Sequence, residues 1–365
     1  MGKSLLAFFS VLVIAFWWQS SSKSGKLKYW LFVDDNWNKN DNLRTMKRVL
    51  KRSGHTTIDG FSDDSWDILW SIEYPMTYIP ELLKNLKPHQ KVNHFPNLNY
   101  ITDKSWMSTK NNFQFIPKSF KFPEMKEAFK KFFNENPKSK FVVKENDNRG
   151  VKVVSHDEIN FESTDGKFYQ EYIENPLLID GRAFDLGIYV LITSIDPLRI
   201  YKMNTEILLR FCPEPYYPFD PKNVDKYVIQ ESQQTIFEMP SLKSFVTKLG
   251  FSFKKAFETH LQSRGFHPVE LWNQIDYAIL NLTAANQENF IKGTKKFAAS
   301  KHYFELVRFD FIIDNDLVVH LMEVNMSPNL TPADAKFEGH APSYENVFYN
   351  TLQCAIGIDS NHDLR

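Results

Sequence analysis

The segment FELVRFDFIIDNDLVVHLMEVNMSP, residues 304–328, constrains the fold more than any other part of the chain. Its two apolar runs read as strands, and Asp314-Asn315-Asp316 between them reads as the turn of a hairpin buried in a sheet. Glu323 then follows VVHLM, deep in an apolar run where an unpaired carboxylate costs several kcal/mol. Side chains near the open end of the hairpin include Asp310 from one strand and Glu323 and Asn325 from the other. An aspartate, a glutamate and an asparagine at neighbouring strand ends suit a hard cation such as Mg²⁺, which keeps waters and takes substrate phosphates beside one or two carboxylates. Solvated polar groups at a hairpin end are the plainer alternative, and the depth of Glu323 argues against it.

A chain of 365 residues is expected to form two or three packed lobes around a sizeable core. Lysine and arginine number 44 and aspartate and glutamate 44, so no global field draws the protein to nucleic acid, and no nucleic-acid partner is expected. Cys212 and Cys354 are the only cysteines, which excludes a disulfide framework and a thiolate zinc site.

The amino terminus differs from the rest. Leu5–Trp18, LLAFFSVLVIAFWW, has a single polar member and would span roughly 21 Å as a helix, short for a bilayer core of about 30 Å. It reads as a short anchor or a secretory signal segment, a core helix being disfavoured by its flanks. Lys23, Lys26 and Lys28 outnumber Lys3 and the amino terminus, which by the positive-inside rule favours an anchored protein with a cytosolic body. Asn281, Asn325 and Asn329 lie in glycosylation sequons, and a glycan on Asn325 would destroy the candidate metal site, which again favours the cytosolic side.

Four regions follow from the pattern: a hydrophobic segment with a basic linker over 1–28, an α/β lobe over 29–92, a central lobe over 93–175, and a final lobe over 176–365 that carries the metal candidates and a helical portion. In the first lobe LKYWLFVDD and WDILWSIEYP read as strands around the helix DNLRTMKRVLKRSG. The middle is mostly sheet, and MKEAFKKFFNEN places Met125, Ala128, Phe129, Phe132 and Phe133 on one helical face. From Pro240 to Phe290 the pattern is helical. The fold class is α/β, or α+β.

A site that binds phosphates needs a cation and a loop. Lys144 ends the strand FVVK, and the following ENDNRG ends in Arg149 and Gly150, so a lysine and a flexible loop sit where a strand terminates. Alone that is equally an ordinary hairpin turn. Gln170, Glu171, Tyr172 and Ile173 form an extended stretch able to offer backbone groups to an adenine edge.

Taken in order, NHFPNLNYITDK, FIPKSF, FVVKENDNRG, QEYIENPLLIDGRAFDLGIYVLITSIDPLRIY and FELVRFDFIIDNDLVVHLMEVNMSPNL resemble the tubulin-tyrosine-ligase-like proteins over about Trp66 to Ala341. The resemblance implies an ATP-grasp fold of three lobes, with Mg-ATP bound between two sheet lobes and an amino acid joined to a protein carboxylate through an acyl-phosphate. It implies tubulin or microtubules as partner and glutamate as the amino acid added. Matched by position, Asp310, Glu323 and Asn325 stand as magnesium ligands, Lys144 as the nucleotide-binding lysine, Arg149 and Gly150 as the loop over the phosphates, and Gln170–Ile173 as the adenine hinge. By the same resemblance Lys104 matches a lysine lining the site, and Arg210 an arginine near the incoming amino acid.

The chain departs from the family pattern at marked places. The usual GRKFDLR is GRAFDLG here, so Ala183 replaces a lysine that contacts the nucleotide and Gly187 an arginine that faces the reacting groups. The usual HLTN segment has no counterpart in KYVIQESQQTIFEMP, and Glu145 stands where the family has proline. These departures support an alternative: a catalytically impaired, membrane-tethered protein that keeps affinity for ATP or tubulin.

Overall fold

The computed structural model describes residues 26–33, 43–58, 65–144, 151–154, 158–159, 161, 168–229, 232–330, 339 and 341–356. The segment Leu5–Trp18 expected as an anchor lies outside them. Among the described residues no helix is long and apolar enough to cross a membrane.

Twelve strands are described: β1 Lys28–Phe32, β2 Thr56–Ile58, β3 Ile68–Ser71, β4 Lys91–Asn93, β5 Ser119–Lys121, β6 Phe141–Lys144, β7 Val151–Val154, β8 Phe168–Glu171, β9 Phe184–Ile195, β10 Leu198–Phe211, β11 Tyr303–Ile313 and β12 Val319–Met326. They build two sheets in a mixed α/β architecture. The larger has eight strands in the order β10-β9-β11-β4-β3-β1-β2, with β12 also paired to β11; the smaller runs β5-β8-β6-β7. Strands β1 to β4 are parallel, as expected where helices return the chain, and β9 to β12 form an antiparallel set.

The boundary expected after residue 92 falls inside β4, which pairs in parallel with β11 through Tyr303↔Val92 and Phe304↔Asn93. The first and last regions therefore share one sheet. Sequence pattern shows strands but not which strands pair, and this junction joins residues some two hundred positions apart. The small sheet keeps its own core of Phe120, Phe122, Phe129, Phe133, Phe141 and Tyr169, whereas Ile101, Met107, Phe115 and Ile116 from the same expected lobe pack into the large core. On the helix Lys126–Glu135, Phe129 and Phe133 are buried and Phe132 packs against the same cluster, but Ala128 is exposed at the edge of the apolar face.

The expected helical region forms three helices, Pro240–Thr247, Phe253–Ser263 and Pro268–Thr294. Gly250, with φ of 65°, breaks the first from the second, and the Ser252 hydroxyl caps the second by accepting from the Lys255 amide at 3.2 Å. The long third helix turns Leu271, Ile275, Ala278, Ile279, Leu282 and Phe290 into the main core behind the large sheet.

At the β4–β11 junction a buried carboxylate fixes the geometry. Glu305 is fully buried; it accepts from the Phe95 amide at 3.1 Å and meets His94 Nδ1 at 2.8 Å. The other ring nitrogen of His94 lies 2.8 Å from the Ser71 carbonyl and 3.0 Å from the Ser327 hydroxyl, tying β3, β4, β11 and the exit of β12 together. Removing one member of such a network leaves buried polar groups without partners. Glu305→Ala is therefore expected to cost about 3–5 kcal/mol, read as a lowered urea midpoint at unchanged slope.

Candidate active site

The site begins with a change of parity in β12. Val319 and Leu321 point into the main core, so strict alternation would send Glu323 and Asn325 there too. The pairing shifts instead: Asp310 opposes Glu323, but the next residue, Phe311, opposes Leu321, which leaves Met322 extra in β12. This bulge returns Val324 to the core and turns Glu323 and Asn325 to the opposite face, beside Asp310.

Asp310 is only 1% exposed and is held by donors from three strands. Arg308 Nε donates to Oδ1 at 2.6 Å and its Nη2 to Oδ2 at 2.8 Å; Arg210 Nη2, from β10, donates to Oδ2 at 2.7 Å; Asn325 Nδ2 donates to Oδ2 at 2.8 Å. Arg210 also grips Asp185 of β9 with both arms, Nε donating to Oδ1 at 2.9 Å and Nη2 to Oδ2. Lys104 Nζ donates to Glu323 Oε2 at 2.9 Å, and Asn325 Nδ2 to Glu323 Oε1 at 3.1 Å. Three carboxylates and three cations thus interleave at one place, which is how such density of charge is tolerated out of water.

This cluster forms the floor of a cavity of about 270 Å³ lying between the two sheets. Its apolar wall includes Val142 and Val151 from the small sheet, Ile312 and Met322 from the large one, and Ala183 just before β9. The segment Gln170–Ile173 runs along its rim. Tyr172 packs its ring against Phe219 and Tyr227 and shares a 2.8 Å hydrogen bond with the Tyr216 hydroxyl. Because Tyr216 donates its own proton to the Glu174 carbonyl at 2.9 Å, Tyr172 is the donor in that pair. Gln170 is buried, with Nε2 donating to the Ser119 hydroxyl at 3.1 Å. A second cavity, of about 290 Å³, opens behind the charges and is lined by Arg210, Arg308, Gln233, Asn325 and Tyr344. Arg210 borders both.

Of the residues singled out from the sequence, Lys104, Arg210, Asp310, Glu323 and the stretch Gln170–Ile173 come together around the first cavity, and Asn325 bridges the two carboxylates. Lys144 ends β6, paired with Val151 and Phe168. Its side chain, and all of Arg149 and Gly150, lie outside the described residues. Among the described residues no three His, Cys, Asp or Glu side chains are placed to hold a metal, so the donor set is two carboxylates and an amide. That set fits Mg²⁺: the Asn325 nitrogen marks a point within reach of both carboxylates, and turning the amide over brings an oxygen there instead. Sequence reasoning passed over Asp185, Arg308, Tyr216 and Tyr227. Arg308 carries the same signal as Glu323, an ion inside an apolar strand, and the same argument finds it.

Burial, with help from Asp310, pushes the Asp185 carboxyl up to about 6 against the pull of Arg210. The folded state then holds this proton to higher pH than an ordinary carboxyl at 3.8, so the contribution of Asp185 to stability falls as pH rises through about 6. Asp185→Asn should abolish that fall. Urea unfolding of both proteins should show wild type losing stability relative to the variant between about pH 5 and about pH 7.

Comparison with known proteins bears on the same region. The profile of the tubulin-tyrosine ligase family matches residues 82–364. A Caenorhabditis elegans protein named "Probable tubulin polyglutamylase ttll-15" is 38% identical over 290 residues, covering 79% of this chain and 56% of that protein. The Danio rerio protein "Tubulin polyglutamylase ttll6" is 25% identical over 332 residues, covering 86% and 41%. The Mus musculus protein "Tubulin monoglutamylase TTLL4" is 28% identical over 278 residues, covering 70% and 23%. The chain spans about half the length of the first two. A profile match across well over half of the chain, on the segment that carries β4 to β12 and the charged cleft, places this protein in the tubulin-tyrosine ligase family.

Proposed function

We propose that the cleft binds Mg-ATP in an ATP-grasp arrangement and joins glutamate to a carboxylate side chain of tubulin through an acyl-phosphate. The observation that carries this reading is the interleaved cluster of Asp310, Glu323, Asp185, Arg210, Arg308 and Lys104 at the floor of an apolar cleft between two sheets. The names of the relatives support glutamate and tubulin as substrates.

Each group has a task in this scheme. Glu171, Tyr172 and Ile173 form the rim on which an adenine edge pairs with backbone, with the ring of Tyr172 held by Tyr216. Asp310, Glu323 and Asn325 hold the magnesium, which when bound offsets the charge on the phosphates. Lys104 and Arg210 supply fixed positive charge where the acceptor carboxylate meets the γ-phosphate, two anions that repel until neutralised. Phosphoryl transfer releases ADP and leaves an acyl-phosphate; attack by the amine of the incoming amino acid forms the amide, releases phosphate and gives up a proton. Arg210 borders both cavities, so it is positioned to steer the incoming carboxylate from the second toward the first.

The alternative of an impaired binding protein rests on Ala183, Gly187 and the missing counterpart of HLTN; Ala183 packs with Cys212 and Tyr216 where the family pattern has a lysine. Two measurements separate the readings. Mg-ATP at a hundredfold excess over its Kd should stabilise the full chain by about 2.7 kcal/mol, seen as a raised melting temperature, and Glu323→Gln should remove the Mg²⁺-dependent part. Incubation with tubulin, glutamate and Mg-ATP should add glutamate detectable by mass spectrometry, with Lys104→Met and Arg210→Met slowing it roughly 10²- to 10³-fold. A thermal shift without added glutamate favours the binding protein; no shift at all sinks both readings.

A further inference from the structure

The glycine at position 187 stands where the family pattern carries an arginine, and the structure gives a reason. Gly187 lies in β9, opposite Asp310 in β11 and Leu208 in β10. It is absent from the glycines with positive φ, so its backbone alone does not call for glycine. Space does. A Cβ at 187 would sit 2.8 Å from Arg308 Cδ, 3.1 Å from Arg308 Nε and 3.1 Å from Leu208 Cβ. The Arg308 side chain lies across the face of Gly187, and its guanidinium ends on Asp310 through both Nε and Nη2.

We infer that Arg308 supplies, from β11, the positive charge that the family pattern supplies from position 187 of β9, and that Gly187 is the residue that makes room for it. The two strands are adjacent and in register, so an arginine rooted on either reaches the same carboxylate, and the space between them admits one such side chain. Arg308 is buried, borders the second cavity with Arg210, and serves as a positioning residue for Asp310. Its pKa is driven well above the ordinary arginine value: burial works against the charge, but the Asp310 carboxylate more than offsets this. One of the two charges whose loss argued for an impaired site is therefore relocated, while Ala183 remains a loss. The role of Arg308 in chemistry rests on the reading of the cleft as a Mg-ATP site; its exchange with position 187 does not.

The test is a set of exchanges in the full chain, read first by urea unfolding without ligand. Arg308→Gly should raise the unfolding equilibrium constant by roughly 10²-fold or more, because it breaks a buried ion pair. Gly187→Arg alone should destabilise, since two side chains then compete for one space. In the Arg308→Gly background, Gly187→Arg should recover about tenfold or more, whereas Gly187→Met, which fills the space without charge, should not. Should Arg308→Gly fail to fold, the same contrast is read as recovery of soluble, cooperatively unfolding protein by Arg and not by Met. The Mg²⁺-dependent part of the ATP thermal shift should follow the same order, which a merely structural role would not produce. Equal behaviour of Arg and Met at 187, or a Gly187→Arg variant as stable as wild type, overturns the inference. Since the unfolding series needs no ATP, its failure is distinct from that of the proposed function, which would appear as wild type inert toward tubulin while the exchange still holds.

Discussion

A strand buried along its length holds an ion only if a partner is brought to it, and β11 holds three. Glu305, Arg308 and Asp310 are each less than a tenth exposed within a strand that is otherwise aromatic and aliphatic. Left unpaired, any of them would cost several kcal/mol. Two are met from other elements, Glu305 by His94 beyond β4 and Asp310 by Arg210 of β10 and Asn325 of β12, while Arg308 turns back to Asp310 of its own strand across the space that Gly187 leaves. The ions thereby reward one arrangement of neighbours around β11, and the same arrangement is the candidate active site. Stability and chemistry share these contacts.

The two sheets divide the work. The large one carries Asp185, Arg210, Arg308, Asp310 and Glu323 on the floor of the cleft, its strands β9, β10, β11 and β12 in long antiparallel register. The small one has its own phenylalanine core and contributes an apolar wall and the rim at Gln170–Ile173. A cleft between separately packed layers suits a ligand with one flat apolar end and one highly charged end, since its two walls differ in polarity. The connection after β8 is pinned to the large sheet: the Asn315 amide donates to the Asn175 carbonyl at 2.9 Å and the Leu177 amide to the Ile313 carbonyl at 2.8 Å. The rim is thus held at a fixed distance from the hairpin that bears Asp310 and Glu323.

The interleaving of charge has a consequence for ligand binding. Lys104, Arg210 and Arg308 are engaged by Glu323, Asp185 and Asp310 within the cluster. A phosphate or carboxylate that enters must share cations already paired, and a metal ion must share carboxylates already hydrogen-bonded. Bringing in both together keeps the local charge near balance, which is a physical reason to expect magnesium and nucleotide to bind as a unit rather than separately.

The amino-acid sequence by itself determined the elements and the presence of a site. Period-two and helical patterns placed the hairpin over 304–326 and the helical region from Pro240, and a glutamate at the end of an apolar run announced a partnered carboxylate, although the structure leaves Glu323 half-buried at the cleft rather than in the core. These are local properties, written in the order of residues along a few turns or strands. The tertiary structure alone decided the rest. Alternation would have sent Glu323 and Asn325 into the core, and only the extra residue at Met322, accommodated by packing against β11, turns them to the cleft. The junction of β4 with β11 unites regions that pattern separates, because pairing partners are chosen by fit and not by sequence distance. Gly187 and Arg308 are 121 positions apart and look like a lost charge and a stray one; only when β9 lies beside β11 does one explain the other.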